Sequence, residues 1–242
     1  MTKLARSMTI GCLSFGLLAL AASSWAQTPP RVADQISKTY GIGSFDRIDA
    51  IRYTFNVEAQ GLNLSRSWAW HPKTGEVSYE AKDKDGNPVK VTYSQAQLDK
   101  EPARVRDEID PAFLNDQYNL LFPFHLSWDG AEVQDQGIQK LPLGKGSARR
   151  VAVKYSGDGG YTPGDTWELY VGSDHRVKEF AYHRAGPKPP KLVIMTWAGY
   201  KKAGPLLVAT ERRGTADGKP VRIFFTSVSV KLVGSDKWMN AH

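Results

Sequence analysis

The chain has 242 residues, 41% of them hydrophobic, with 32 Lys and Arg against 25 Asp and Glu, a net charge of +7, and one cysteine. A single cysteine excludes a disulfide framework. The basic excess is dispersed in isolated pairs, Arg149-Arg150, Lys201-Lys202 and Arg212-Arg213, which reads as a solvated basic surface and against a nucleic-acid partner.

Residues 1–26 read as a secretory signal peptide. Lys3 and Arg6 precede an apolar run from Met8 to Ala22, and Ser24-Trp25-Ala26 puts small residues at the −3 and −1 positions of a cleavage site. The alternative, a membrane anchor, needs about 20 apolar residues. Cys12 lies before most of the run, which is wrong for lipid attachment. Cleavage removes the cysteine and two positive charges, and leaves residues 27–242 as one periplasmic or secreted domain. No later apolar run is long enough to span a bilayer.

Period-2 alternation between turn residues predicts strands in series. The first are Arg47–Glu58, Leu62–Trp70, Glu76–Ala81 and Val89–Tyr93, with turns at Pro72-Lys73-Thr74-Gly75 and Lys84-Asp85-Gly86-Asn87. A helical interruption follows. Ser94 and Gln97 fit a capping box. Asp110-Pro111 marks a second helix start, Leu114, Tyr118 and Leu121 share a face, and Pro123 is expected to end that helix. Strands resume at Ala131–Val133, Ser147–Tyr155, Thr166–Val171, Val177–Arg184, Leu192–Gly199, Leu206–Arg213 and Val221–Leu232. Several are apolar on both faces, as in Leu192–Trp197. The expected fold is mostly β: a strongly curved antiparallel sheet of about eleven strands, with the helices as lid or plug.

The candidate site is aromatic. Tyr53, Phe55, Trp68, Trp70, Tyr79, Trp128, Trp167, Tyr170, Phe180, Tyr182 and Trp197 fall in or beside strands; of these, Tyr53, Phe55, Trp68, Trp70, Tyr79, Trp167 and Trp197 are singled out to line a cavity for an apolar or amphipathic ligand, or else serve only as core. Arg66 shares a face with Leu62, Leu64, Trp68 and Trp70, so its guanidinium is placed to meet an anionic head group or, alternatively, to reach water over its apolar stem. The loop Gly157–Asp165 could hold calcium through Asp158 and Asp165 but matches no calcium motif, and Asp-capped turns are the favoured reading. No catalytic residue, metal ligand set or cofactor is expected. The histidines lack metal spacing, and no Gly-x-Ser-x-Gly elbow is present. A carboxylate pair for glycan hydrolysis is not selected by the sequence. The readings are therefore a non-enzymatic binder, a hydrolase of envelope lipid or glycan, or a scaffold with an aromatic core.

Trp68-Ala69-Trp70-His71-Pro72, running on to Val77-Ser78-Tyr79, resembles the Trp-rich strand and proline turn of the periplasmic lipoprotein-carrier superfamily, the LolA/LolB-like proteins. Asp116-x-Tyr118, Pro123-Phe124, Trp128-Asp129 and Gly160–Asp165 resemble a set of uncharacterised bacterial secreted proteins. The resemblance covers most of residues 32–232. It implies a half-open β-barrel that holds acyl chains on its concave side, lipid or lipoprotein carriage, an envelope protein as candidate partner, and a monomer. In the carriers an arginine that helps gate the cavity precedes the turn proline, where this chain has His71.

Overall fold

Four hairpin strands open the fold where the alternation predicts them, in a computed structural model that describes residues 31–155 and 164–242. The proposed signal peptide and most of the Gly157–Asp165 loop lie outside the described residues. Strands β1 (Ile48–Ala59), β2 (Leu62–His71), β3 (Glu76–Lys82) and β4 (Pro88–Ser94) pair antiparallel in sequence order. A second meander comprises β5 (Glu132–Lys140), β6 (Ser147–Lys154), β7 (Thr166–Val171), β8 (Val177–His183) and β9 (Leu192–Thr196). The hairpin of β11 (Leu206–Ala216) and β12 (Lys219–Leu232) joins the two, because β12 pairs with β1 and β11 with β9. These eleven strands form the main path of one sheet, in the order β4-β3-β2-β1-β12-β11-β9-β8-β7-β6-β5. The short β10 (Ala198–Ala203) and β13 (Trp238–Asn240) add to β11 and β12 off that path. The terminal strands β4 and β5 do not pair among the described residues, so the sheet is curved and open.

The expected strand Leu192–Gly199 is two strands. Trp197 turns its side chain into the core, its amide donates to the Lys178 carbonyl at 2.7 Å, and Gly199 takes a left-handed φ of +66°. The partner of β11 changes accordingly, from β10 along its first half to β9 from Gly214 onward. A Cβ at Gly214 would lie 1.9 Å from the Ile194 carbonyl oxygen, so only glycine lets the two backbones cross this closely.

Two α-helices, α1 (Val32–Tyr40) and α2 (Asp110–Trp128), pack against each other, and α2 lies on the concave face. Helix α1 lies outside the elements predicted above, and its buried Ala33, Ile36, Ser37 and Tyr40 form one face. The expected capping box is absent. Residues Gln95–Lys100 make a 3₁₀ turn, and the Ser94 amide donates to Glu101 instead. Asp110 is not an N-cap either, since a π turn at Val105–Ile109 already leads into the helix. Its carboxylate accepts from Tyr93 Oη and Gln95 Nε2, both at 2.9 Å.

Pro123 does not end α2. The helix kinks at Leu121 (φ −111°, ψ 15°) and continues to Trp128. Proline lacks the amide that would bond the carbonyl four residues back, which is that of Asn119. Arg212 Nη2 donates to that oxygen at 2.6 Å. Arg212 is thus not the surface cation expected of an Arg-Arg pair. It is fully buried, its guanidinium lies 3.6 Å from the Trp197 ring centre, and burial pushes its pKa down to about 9. Helix α2 buries residues all round, including Phe113, Asp116, Leu120, Phe122, Phe124 and Leu126. A helix buried on all sides is part of the core, so α2 is a plug.

Candidate functional site

Between the first half of α2 and the concave face lies a cavity of about 280 Å³. Strand register builds its two walls. On one side Phe55 pairs with Arg66 and Val57 with Leu64, so all four side chains point inward. On the other, Trp167 pairs with Tyr182, Tyr182 with Val193, and Phe180 with Met195. The Trp167 ring lies 4.6 Å from Tyr182 and 5.3 Å from Phe180. Asn115, Tyr118 and Asn119 of α2 form the roof. A larger depression of about 910 Å³ beside the start of α1 includes Arg31, Asp34, Asp135 and Arg149 in its walls. It lacks the continuous aromatic wall that would hold an apolar group.

Arg66 is engaged from within. Its Nε and Nη2 donate to Asp116 at 2.8 and 2.6 Å, and Asp116 also accepts from Trp68 Nε1 at 2.8 Å and from Asn115 Nδ2 at 3.1 Å. The Asp116 side chain is fully buried while Arg66 retains 18% exposure. Burial raises the Asp116 pKa, against the pull of Arg66, Asn115 and Trp68. The ion pair fastens the roof to β2, and the Arg66 charge at the cavity wall is balanced by that carboxylate.

Of the eight residues singled out from sequence, Phe55, Arg66 and Trp167 line the cavity. The other five do not. Trp68 is wedged between Tyr79 at 4.6 Å and Phe113 at 5.4 Å, Trp70 lies against Phe113 and Phe45, Tyr53 packs on Phe225, and Trp197 lies beneath Arg212. Residues not among the eight complete the walls, chiefly Tyr182, Arg184, Met195 and the α2 amides. Alternation from Phe180 through Tyr182 to Arg184 was their signal, whereas Asn115 and Asn119 needed the helix position. His71 ends β2 and does not line the cavity.

A polar cluster continues from the roof. The Tyr118 hydroxyl donates to Asp129, His125 Nδ1 lies 2.9 Å from the same carboxylate, His125 Nε2 lies 2.8 Å from Gln117 Oε1, and the Tyr118 and His125 rings stack at 3.7 Å. Burial pushes Asp129 up to about 6 and His125 down to about 3. Both imidazole nitrogens are occupied by protein groups. No group of three His, Cys, Asp or Glu suited to a metal occurs among the described residues.

These features define an open antiparallel half-barrel with a kinked helix as its plug and an apolar cavity beneath the plug. No family model and no curated protein matches the sequence. Among solved structures, the chain is similar to a DUF1329 family protein from Desulfovibrio piger, at 12% identity and TM-score 0.44 over 85% of this chain and 93% of that one. It is also similar to a LolA superfamily protein from Nitrosomonas europaea, at 7% identity and TM-score 0.45 over 84% and 94%. The chemistry of the cavity rests on its own residues.

Proposed function

We propose that the protein is an exported, non-enzymatic binder that takes the apolar chain of an amphipathic ligand beneath α2, in the cell envelope. The carrying observation is the cavity of about 280 Å³ enclosed by Phe55, Leu64, Trp167, Phe180 and Met195. Cavities lined mainly by apolar and aromatic side chains with a few polar groups are the usual form of a small-molecule site. The N-terminal pattern supports export, and no described helix is long and apolar enough to cross a membrane.

A fluorescent fatty-acyl probe tests this reading. It should bind the wild type with one site. Val193→Trp, which fills the cavity from β9, should abolish binding while thermal unfolding still shows a cooperative transition. Retained binding in that variant overturns the assignment of the site. The hydrolase reading draws on the Asp129–His125 pair beside the roof. Turnover of a lipid or glycan panel that is lost in Asp129→Asn would establish it in place of the binder.

A further inference from the structure

The cavity wall carries two arginines and no carboxylate, and the arginines are not equivalent. Arg66 is neutralised by the buried Asp116. Arg184, just beyond β8, donates Nε to the Tyr182 hydroxyl at 3.4 Å and Nη1 to the Pro189 carbonyl at 3.0 Å. Neither acceptor is charged. The hydroxyl proton of Tyr182 is committed to Asp165, so the phenol oxygen can only accept from Arg184. Asp165 itself is buried, also receives the Ala185 amide at 2.7 Å, and makes no ion pair with Arg184. No carboxylate among the described residues lies within ion-pair distance of Arg184. A guanidinium has five N–H groups, and two are used. It lines the same cavity as Trp167, Val193 and Met195.

We propose that the ligand is a single-chain amphiphile with one anionic oxyacid head group, carboxylate or phosphate monoester. The head group pairs with Arg184, and the chain lies along Trp167, Phe180 and Met195. This rests on the binder reading above. Charge selects the head group. A guanidinium offers a fork of N–H donors that matches such oxyacids, and charge-assisted hydrogen bonds of this kind are among the stronger ones. Volume selects the chain number. At about 280 Å³ the cavity is at the lower edge of the range of about 300–1,000 Å³ for ligand sites, which suits one chain and not several.

Titration calorimetry on the protein purified from its own cells separates the parts of this proposal. The probes are dodecanoate, dodecyl phosphate, dodecanol and a diacyl phosphatidate. Dodecanoate or dodecyl phosphate should bind at least about tenfold more tightly than dodecanol, and the ratio between the two anions identifies the head group. Arg184→Gln should erase the advantage of the anion and leave dodecanol within about twofold, whereas Arg184→Lys should keep part of it. Equal binding of anion and alcohol by the wild type, or an anion preference that survives Arg184→Gln, overturns the head-group assignment and leaves chain binding standing. Phosphatidate binding as tightly as the single-chain anions overturns the single-chain assignment. Failure of every probe to bind the wild type overturns the binder reading itself. Tyr182→Phe removes the acceptor that orients Arg184, so it should lower the anion-to-alcohol affinity ratio less than Arg184→Gln does. This is the effect expected of a positioning residue.

Discussion

From Asp110 to Leu120 the plug helix turns Asn115, Asp116 and Asn119 toward β2 and the cavity, whereas from Phe122 to Leu126 it offers almost nothing but apolar surface. The first half is fastened by the Arg66–Asp116 pair and borders empty volume. The second half is close-packed. Phe122 lies 4.4 Å from Trp167 and Phe124 lies 5.4 Å from Phe45, while Ser37 Oγ donates to the Pro123 carbonyl at 2.8 Å. Apolar packing dominates in one half, and a directional ion pair fastens the other. The difference shows how a helix can plug a barrel and still leave room for a ligand. The dry half fixes where the helix sits, and the ionic half sets the height of the roof without filling the space beneath it.

Truncation in the dry half should have the largest effect. Phe122→Ala removes a fully buried ring and should cost about 3–5 kcal/mol by urea denaturation. In the ionic half, Asp116→Leu strands a mostly buried guanidinium and the Trp68 indole N–H, and should cost about 3 kcal/mol. Adding Arg66→Met to Asp116→Leu should recover part of that loss, because the pair sets geometry more than it supplies stability. A double variant as unstable as the sum of the singles would show that the two halves do not differ in kind.

The kink between the halves gives a smaller effect. Arg212→Met leaves the part-buried Asn119 carbonyl without its donor and should cost about 1–3 kcal/mol. Pro123→Ala restores an amide four residues beyond that carbonyl, so in the Arg212→Met background it should recover stability. In the wild type it should recover none. The same response to Pro123→Ala in both backgrounds would mean that Arg212 does not replace the missing helix bond.

The strands were legible because alternation reports which way a side chain points, and the shared face of Phe55 and Arg66 follows from it directly. Depth was not legible. Tyr53 and Trp68 lie on that same face one step along, yet α2 covers them, and its position depends on contacts far apart in sequence. Pro123 was readable as a helix breaker, while its compensation by Arg212 was not, since the donor comes from another strand 93 residues from Asn119. Helix α1 did leave a signal. Ala33, Ile36, Ser37 and Tyr40 are spaced i, i+3, i+4 and i+7, as one helical face requires. The split of β9 from β10 turns on Gly199 and the inward side chain of Trp197, which a run of apolar residues conceals.

The smallest effect expected in the wild type is the pH dependence of stability, where Asp129 and His125 titrate in opposite senses. Burial raises Asp129 to about 6 from an ordinary value of about 3.9. Its contribution is complete below about pH 4 and is lost as pH rises through about 6. Burial lowers His125 to about 3 from about 6.5. Its contribution is present above about pH 6.5 and is lost as pH falls toward about 3. Between about pH 4 and 6 the two slopes oppose each other, each at most about 1.4 kcal/mol per pH unit, so the pair leaves the wild type nearly flat in that window. Asp129→Asn keeps an acceptor for His125 but removes the carboxyl titration, so this variant should lose stability on acidification from about pH 6 to 4. His125→Gln removes the opposite slope, so it should gain stability over the same interval. Urea denaturation at about pH 4, 5 and 6 reads all three proteins. Parallel curves for wild type and both variants would show that neither group changes its proton binding on folding, and the cluster beside the cavity roof would then be set by its hydrogen bonds alone.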